Sequence, residues 1–170
     1  MAGERQADQL RLLVAELDDE LARVARLMGE LDHARHALER PEIDTLVVYG
    51  AAALLESFYT GMEKALRRIA TSLGGMPQGE GWHRDLLASM TLALDGIRPA
   101  VLTAATAAAI DPYLAFRHRF RDLYVFDLER APMLTLLSRA TAAQQAFDAD
   151  VRAFVAELRR WVAALDAQSE

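Results

Sequence analysis

Residues 10–31, LRLLVAELDDELARVARLMGEL, decide the fold class. Leu10, Leu13, Leu17, Leu21, Val24, Leu27 and Leu31 recur at spacings of three and four, while Glu, Asp and Arg fill most positions between them. Such a stripe is the signature of a helix with one apolar face, and its narrowness demands a partner helix along most of its length. The pattern predicts a long helix over residues 4–40, which Pro41 ends or bends. Asp18-Asp19-Glu20 reads as a solvated helix face. Glu42 or Asp44 then suits the start of a second helix, where an acidic side chain meets the positive end of the helix dipole.

That second helix is expected over residues 43–73, where Gly74 and Gly75 stop it. Leu46, Leu54, Phe58, Met62, Leu66 and Ile69 keep helical spacing. Gly50, Ala53, Ser57 and Gly61 form a second stripe of small residues, which reads either as close approach by another backbone or as an incidental Ala/Gly surface. Met76-Pro77-Gln78-Gly79-Glu80-Gly81 is the clearest loop, and Trp82 opens a short third helix that ends before Gly96 and Pro99. An alanine-rich stretch, Thr103 to Ile110, is expected to form a separate short helix. Asp111-Pro112 is expected to restart the chain, with a helix from Pro112 to Tyr124. A final long helix begins near Asp127–Pro132 and runs to Ala167, with Leu134, Leu137, Phe147, Val151, Phe154, Leu158, Trp161 and Leu165 on its buried face. No Val/Ile-rich alternating run argues for a strand. The expectation is an all-α antiparallel helical bundle with long N- and C-terminal helices, in one domain over residues 1–170.

Composition narrows the function. The chain has 170 residues, 52% hydrophobic and 26% charged, which excludes a disordered tail. Zero cysteines exclude disulfide scaffolds, thiol catalysis and Cys-ligated zinc. A net charge of −6 argues against general nucleic-acid binding, although one basic edge is compatible with it. No run approaches the length of a membrane span and no export signal is evident, so the expected location is cytoplasmic, without membrane association. A single lysine, Lys64, among 19 cationic residues and the absence of asparagine point to a GC-rich bacterial genome.

Chemistry concentrates in Phe116-Arg117-His118-Arg119-Phe120-Arg121-Asp122-Leu123-Tyr124. On a helix, Arg117, Arg121 and Tyr124 share one side, while Phe116, Phe120 and Leu123 occupy the neighbouring apolar face. Asp122 stands four residues after His118, within reach of it. Arginine forks suit phosphate oxygens, so an RNA backbone is one candidate ligand, with Arg119 and Arg121 beside Arg117. A charged helix end, with Asp122 paired to His118, is the other reading. His83 is a secondary candidate at the start of the third helix, where a structural role competes with a catalytic one. His33 and His36, three apart, read as dipole compensation at a helix end. No metal site or cofactor is expected.

The segment resembles the signature of the HEPN superfamily, in particular the HepT-like ribonuclease toxins, whose motif is Arg-x-x-x-x-His-x-Tyr. Arg117 and Tyr124 match its ends, and Asp122 stands where the family has histidine. Glu56-Ser57-Phe58-Tyr59-Thr60-Gly61-Met62-Glu63, Gly79–Leu87 and Gly96-Ile97-Arg98-Pro99 resemble the same family in the same order. The resemblance implies a HEPN-type bundle that forms a homodimer with Arg117 of both copies near one cleft. It implies metal-independent cleavage of single-stranded RNA, with arginine steadying the phosphate and histidine moving the proton. It also implies a bacterial toxin–antitoxin module in which a nucleotidyltransferase antitoxin adenylylates Tyr124. Aspartate ionises near 3.9 and is a poor proton donor at neutrality, so the acid–base candidates are Asp122 and His118. The alternative is a non-catalytic interaction module that keeps the fold and binds the nucleotidyltransferase; a helical adaptor unrelated to RNA is a third reading.

Overall fold

The computed structural model describes residues 2–122, 124 and 127–168. Five helices follow one another: α1 (Ala2–Glu39), α2 (Thr45–Ser72), α3 (Trp82–Ser89), α4 (Ala104–Phe120) and α5 (Arg130–Ala167). No strand occurs among the described residues; the one bridge, between Leu94 and Arg98, is isolated.

The leucine stripe of α1 does what its spacing requires. Leu10, Leu13, Leu17, Leu21, Val24 and Leu31 are buried, and Leu27 packs against them. They meet α5 and α2, the two helices most extensively packed on α1. Arg11 joins Asp166 at 2.7 Å, while Arg159 joins Asp18 at 2.8 Å, so α1 and α5 run antiparallel. Each has 38 residues, about 57 Å at 1.5 Å per residue. From α5, Leu137, Phe147, Val151, Phe154 and Leu158 enter the core as expected, and Trp161 and Leu165 are partly buried.

Three local expectations change. The alanine-rich stretch and the following helix are one element, α4, with Pro112 inside it. Thr103 caps its start by accepting the N–H of Thr106 at 3.1 Å. Ile110, Tyr113, Leu114 and Phe116 hold it to the core on both sides of the proline. Proline removes the hydrogen bond to the carbonyl four residues back, and here Ala108 and Pro112 both lie on the exposed side, where water can take that carbonyl. Second, Glu20 is not solvated: it is 4% exposed and joins Arg68 of α2 at 3.2 Å. Third, Leu46 is 77% exposed, while Leu55 and Tyr59 carry the buried face of α2 further along.

Asp44 caps α2 by accepting the N–H of Leu46 at 2.8 Å. At the other end, Gly74 has a φ of +125°, and a Cβ there would meet Leu94 Cδ1 at 2.8 Å. The connection from α3 to α4 is pinned by Arg98. Its guanidinium is buried and donates to the carbonyls of Leu73, Ser89, Leu92 and Pro99 at 3.1–3.2 Å.

The small-residue stripe of α2 divides in two. Gly50 faces open space, whereas a Cβ on Gly61 would lie 2.8 Å from Val24 Cγ2 of α1. Valine is stiff at χ1 in a helix, so it yields little. Gly61→Ala is expected to lower stability by about 1–3 kcal/mol through overpacking, less the roughly 1 kcal/mol that alanine gains in helix propensity. Val24→Ala in the same chain is expected to recover part of that loss, so chemical denaturation of the two single variants and the double variant should give a non-additive cycle.

Candidate functional site

Glu63 organises the site. It lies on α2 between Met62 and the Tyr59–Leu66 face, and only 3% of it is exposed. A buried carboxylate is costly unless cations and donors meet it. Arg117 of α4 supplies the first, with Nη1 3.0 Å from both Glu63 oxygens. His83 of α3 supplies the second, with Nδ1 2.5 Å from Oε2. One acidic side chain thereby ties three helices together.

Other groups complete the pocket. Arg117 Nε lies 3.4 Å from Glu56 Oε1, but it is buried and its geometry does not make a hydrogen bond. The Arg117 guanidinium sits 5.8 Å from the centre of the Tyr59 ring. Burial, and then the Glu63 charge, push the Tyr59 hydroxyl far above the ordinary phenol range. Trp82 stacks on His83 at 3.6 Å, and Arg67 covers the indole at 5.4 Å. His118 is exposed, and its ring meets the His83 ring edge to face at 5.2 Å. Burial lowers the His118 pKa from its ordinary value; His83 and Arg117 lower it further, while Glu63 opposes them.

The sequence candidates therefore separate. Arg117, His118 and His83 come together. Asp122 does not join them: the expected His118–Asp122 pair is absent, and Asp122 is exposed beyond the last residue of α4. The physical reason is the helix end. Arg121 is the C-cap, and the Asp122 N–H turns to the Arg119 carbonyl at 3.1 Å, three residues back rather than four. Arg119 and Arg121 are exposed near this end. Phe116 is buried and stacks with Phe120 at 5.9 Å; Leu123 lies outside the described residues. Tyr124 is 71% exposed, and its carbonyl accepts the Asp127 N–H at 3.0 Å. His36 pairs locally with Asp32, and among the described residues no cluster has the makings of a metal site.

Glu63 and Glu56 were not singled out from the residues alone. The available signal was a carboxylate at a buried helical position: Glu63 stands four after Tyr59 and three before Leu66. An apolar groove of about 620 Å³ beside Leu10, Leu94, Ile97 and Trp161 shares no residue with this cluster.

With five helices and this arrangement in place, the class is that of a HEPN-type helical bundle with an arginine at its polar centre. A family model described as HepT-like protein matches residues 50–158, and the chain belongs to that family. The match spans most of the site-bearing α2, all of α3 and α4, and most of α5. No curated protein and no solved structure matches the chain.

The His118 shift has a definite sign. A histidine whose folded pKa is depressed binds its proton more readily when unfolded, so its contribution favours folding above about 6.5 and is lost as pH falls through the folded value. Histidine ring NMR is expected to place the His118 midpoint below 6.5. Replacing His83 with Gln should move that midpoint upward, and an unchanged midpoint would contradict the coupling of the two rings.

Proposed function

We propose that the chain is a metal-independent ribonuclease acting on single-stranded RNA, the HepT-like member of a bacterial toxin–antitoxin module. The observation that supports this reading best is the meeting of Arg117 with two imidazoles, His83 and His118, at a helix end that also carries Arg119 and Arg121. Guanidinium is suited to the charge that grows on phosphate oxygens, and imidazole moves protons near neutrality. Arg119 and Arg121 supply cations for the neighbouring backbone. His118, exposed and with its charged form disfavoured, is the base that takes the ribose 2′-hydroxyl proton.

A homodimer fits the same region. Leu46 and Tyr49 are 77% and 50% exposed, and Tyr49 touches Phe120 at 5.7 Å. Gly50, with open space above it, extends this apolar face of α2. A second copy seated there brings two Arg117 sites toward one cleft.

A second reading has its own support. Two carboxylates surround Arg117, and Asp122 occupies the place of the motif histidine away from it. Both features suit a non-catalytic interaction module that binds a nucleotidyltransferase partner. On either reading Tyr124 is the acceptor for adenylylation, in keeping with its exposure. Co-expression with a nucleotidyltransferase encoded beside it is expected to add an adenylyl mass to the Tyr124 peptide, and Tyr124→Phe should abolish it.

The two readings are separated by incubating the purified chain with single-stranded RNA. Cleavage is expected, and Arg117→Ala should reduce it by about 10²–10³-fold, the scale of losing one electrostatic stabiliser of the transition state. Tyr49→Glu should shift the sedimenting species from dimer to monomer and lower cleavage with it. Cleavage that survives Arg117→Ala unchanged rejects the enzyme reading.

A further inference from the structure

The contact between His83 and Glu63 constrains where a proton sits. A separation of 2.5 Å between an imidazole nitrogen and a carboxylate oxygen needs one proton between them. Glu63 also receives Arg117 Nη1 at 3.0 Å on each oxygen, the arrangement of an acceptor-only carboxylate. The proton therefore rides on His83 Nδ1. This leaves Nε2 as the ring atom that gains and loses protons. Trp82, stacked on the ring, and the buried Glu63 together hold its plane and tautomer.

We propose that Glu63 is the positioning residue of the site and that His83 Nε2 is its second proton-transfer atom, working opposite His118 across the phosphate held by Arg117. The assignment rests on the ribonuclease reading and places the proton donor on another helix, α3, while His118 of α4 keeps the role of base. His118, neutral, takes the proton of the ribose 2′-hydroxyl. The 2′-oxygen bonds to phosphorus, the bond from phosphorus to the 5′-oxygen breaks, and that oxygen takes the proton carried by His83 Nε2. The products are a 2′,3′-cyclic phosphate and a 5′-hydroxyl, and the two imidazoles have exchanged protonation states. Exchange with water restores them, and no oxidant, reductant or metal enters the balance.

Several charged groups face the two rings. Glu63 of α2 and Arg117 and Arg121 of α4 act on the rings directly, while Glu56 and Tyr59 neighbour Arg117 and Arg67 lies over Trp82. A pH profile therefore reports the whole cluster, and the decisive measurement is one that reads His83 alone. Nitrogen-15 NMR of the ring in the full chain is expected to show the Nδ1–H tautomer when His83 is neutral. Glu63→Gln is expected to remove that preference, with folding checked on the same sample by the amide spectrum. On single-stranded RNA, His83→Gln should reduce cleavage by about 10²–10⁴-fold, the range of general acid–base catalysis, and remove one limb of the pH–rate profile. Glu63→Gln should retain part of the activity with that limb displaced. An Nε2–H tautomer at His83, or full-rate cleavage by His83→Gln where Arg117→Ala is inactive, overturns this assignment alone. Absence of cleavage by the unaltered chain instead overturns the ribonuclease reading and this assignment together.

Discussion

A carboxylate that leaves water must find positive charge, and Glu63 finds it on two other helices. Removing one partner from such a buried pair typically costs about 3–5 kcal/mol, because the remaining charge is then uncompensated. Neither Arg117 nor His83 is free to drift while Glu63 stays buried. The demand fixes the approach of α3 and α4 to α2, and it fixes the ring plane of His83 through the same contact. Polar chemistry and local architecture are one interaction at this point of the molecule.

The surrounding frame makes that interaction affordable. α1 and α5 are long, and their leucines, valines and phenylalanines bury apolar area along nearly the whole length of each helix. The ion pairs that accompany them, Arg11 with Asp166 and Arg159 with Asp18, involve half-exposed side chains and add at most about 1 kcal/mol each. They record the antiparallel register more than they create it. Stability resides in the stripe, which leaves α2 and α4 as rigid platforms for charged groups. Glu20 and Arg68 repeat the device between α1 and α2 without imidazoles, so a buried acid alone does not distinguish a reactive site from a structural tie.

The bundle was legible in the sequence because helical spacing is a local property. Leu10 through Leu31 and Phe147 through Leu158 announce their faces without knowledge of their partners. Pro112 misled for the opposite reason: its cost depends on whether the freed carbonyl faces water, which only the packed helix decides. Arg117 and His118 were visible as a cationic cluster, and their resemblance to a known motif made them candidates. His83 was a secondary candidate, but nothing joined it to them, and the role of Glu63 was not visible. Glu63 and His83 are 20 residues apart in sequence, and Glu63 and Arg117 are 54 apart, so no spacing rule joins them. Asp122 shows the limit of spacing within one helix, since the four-residue step from His118 ends where α4 tightens and stops.

The two acids around Arg117 are not equivalent, and the difference bears on how an acidic chain can meet a phosphate. Glu63 is buried and lies at 3.0 Å with good hydrogen-bond geometry, so it is the permanent partner. Glu56 is 32% exposed and reaches Arg117 only through a 3.4 Å contact with Nε that makes no hydrogen bond. Coulomb attraction to the more exposed Glu56 is weaker, and the Nε that it covers is a buried donor without a hydrogen bond, so Glu56 is the contact that yields first. On the ribonuclease reading, a phosphate oxygen competes with Glu56 and leaves Glu63 in place. On that reading the arginine keeps its anchor while exchanging its looser contact, and the buried pair that holds α2, α3 and α4 together stays in place.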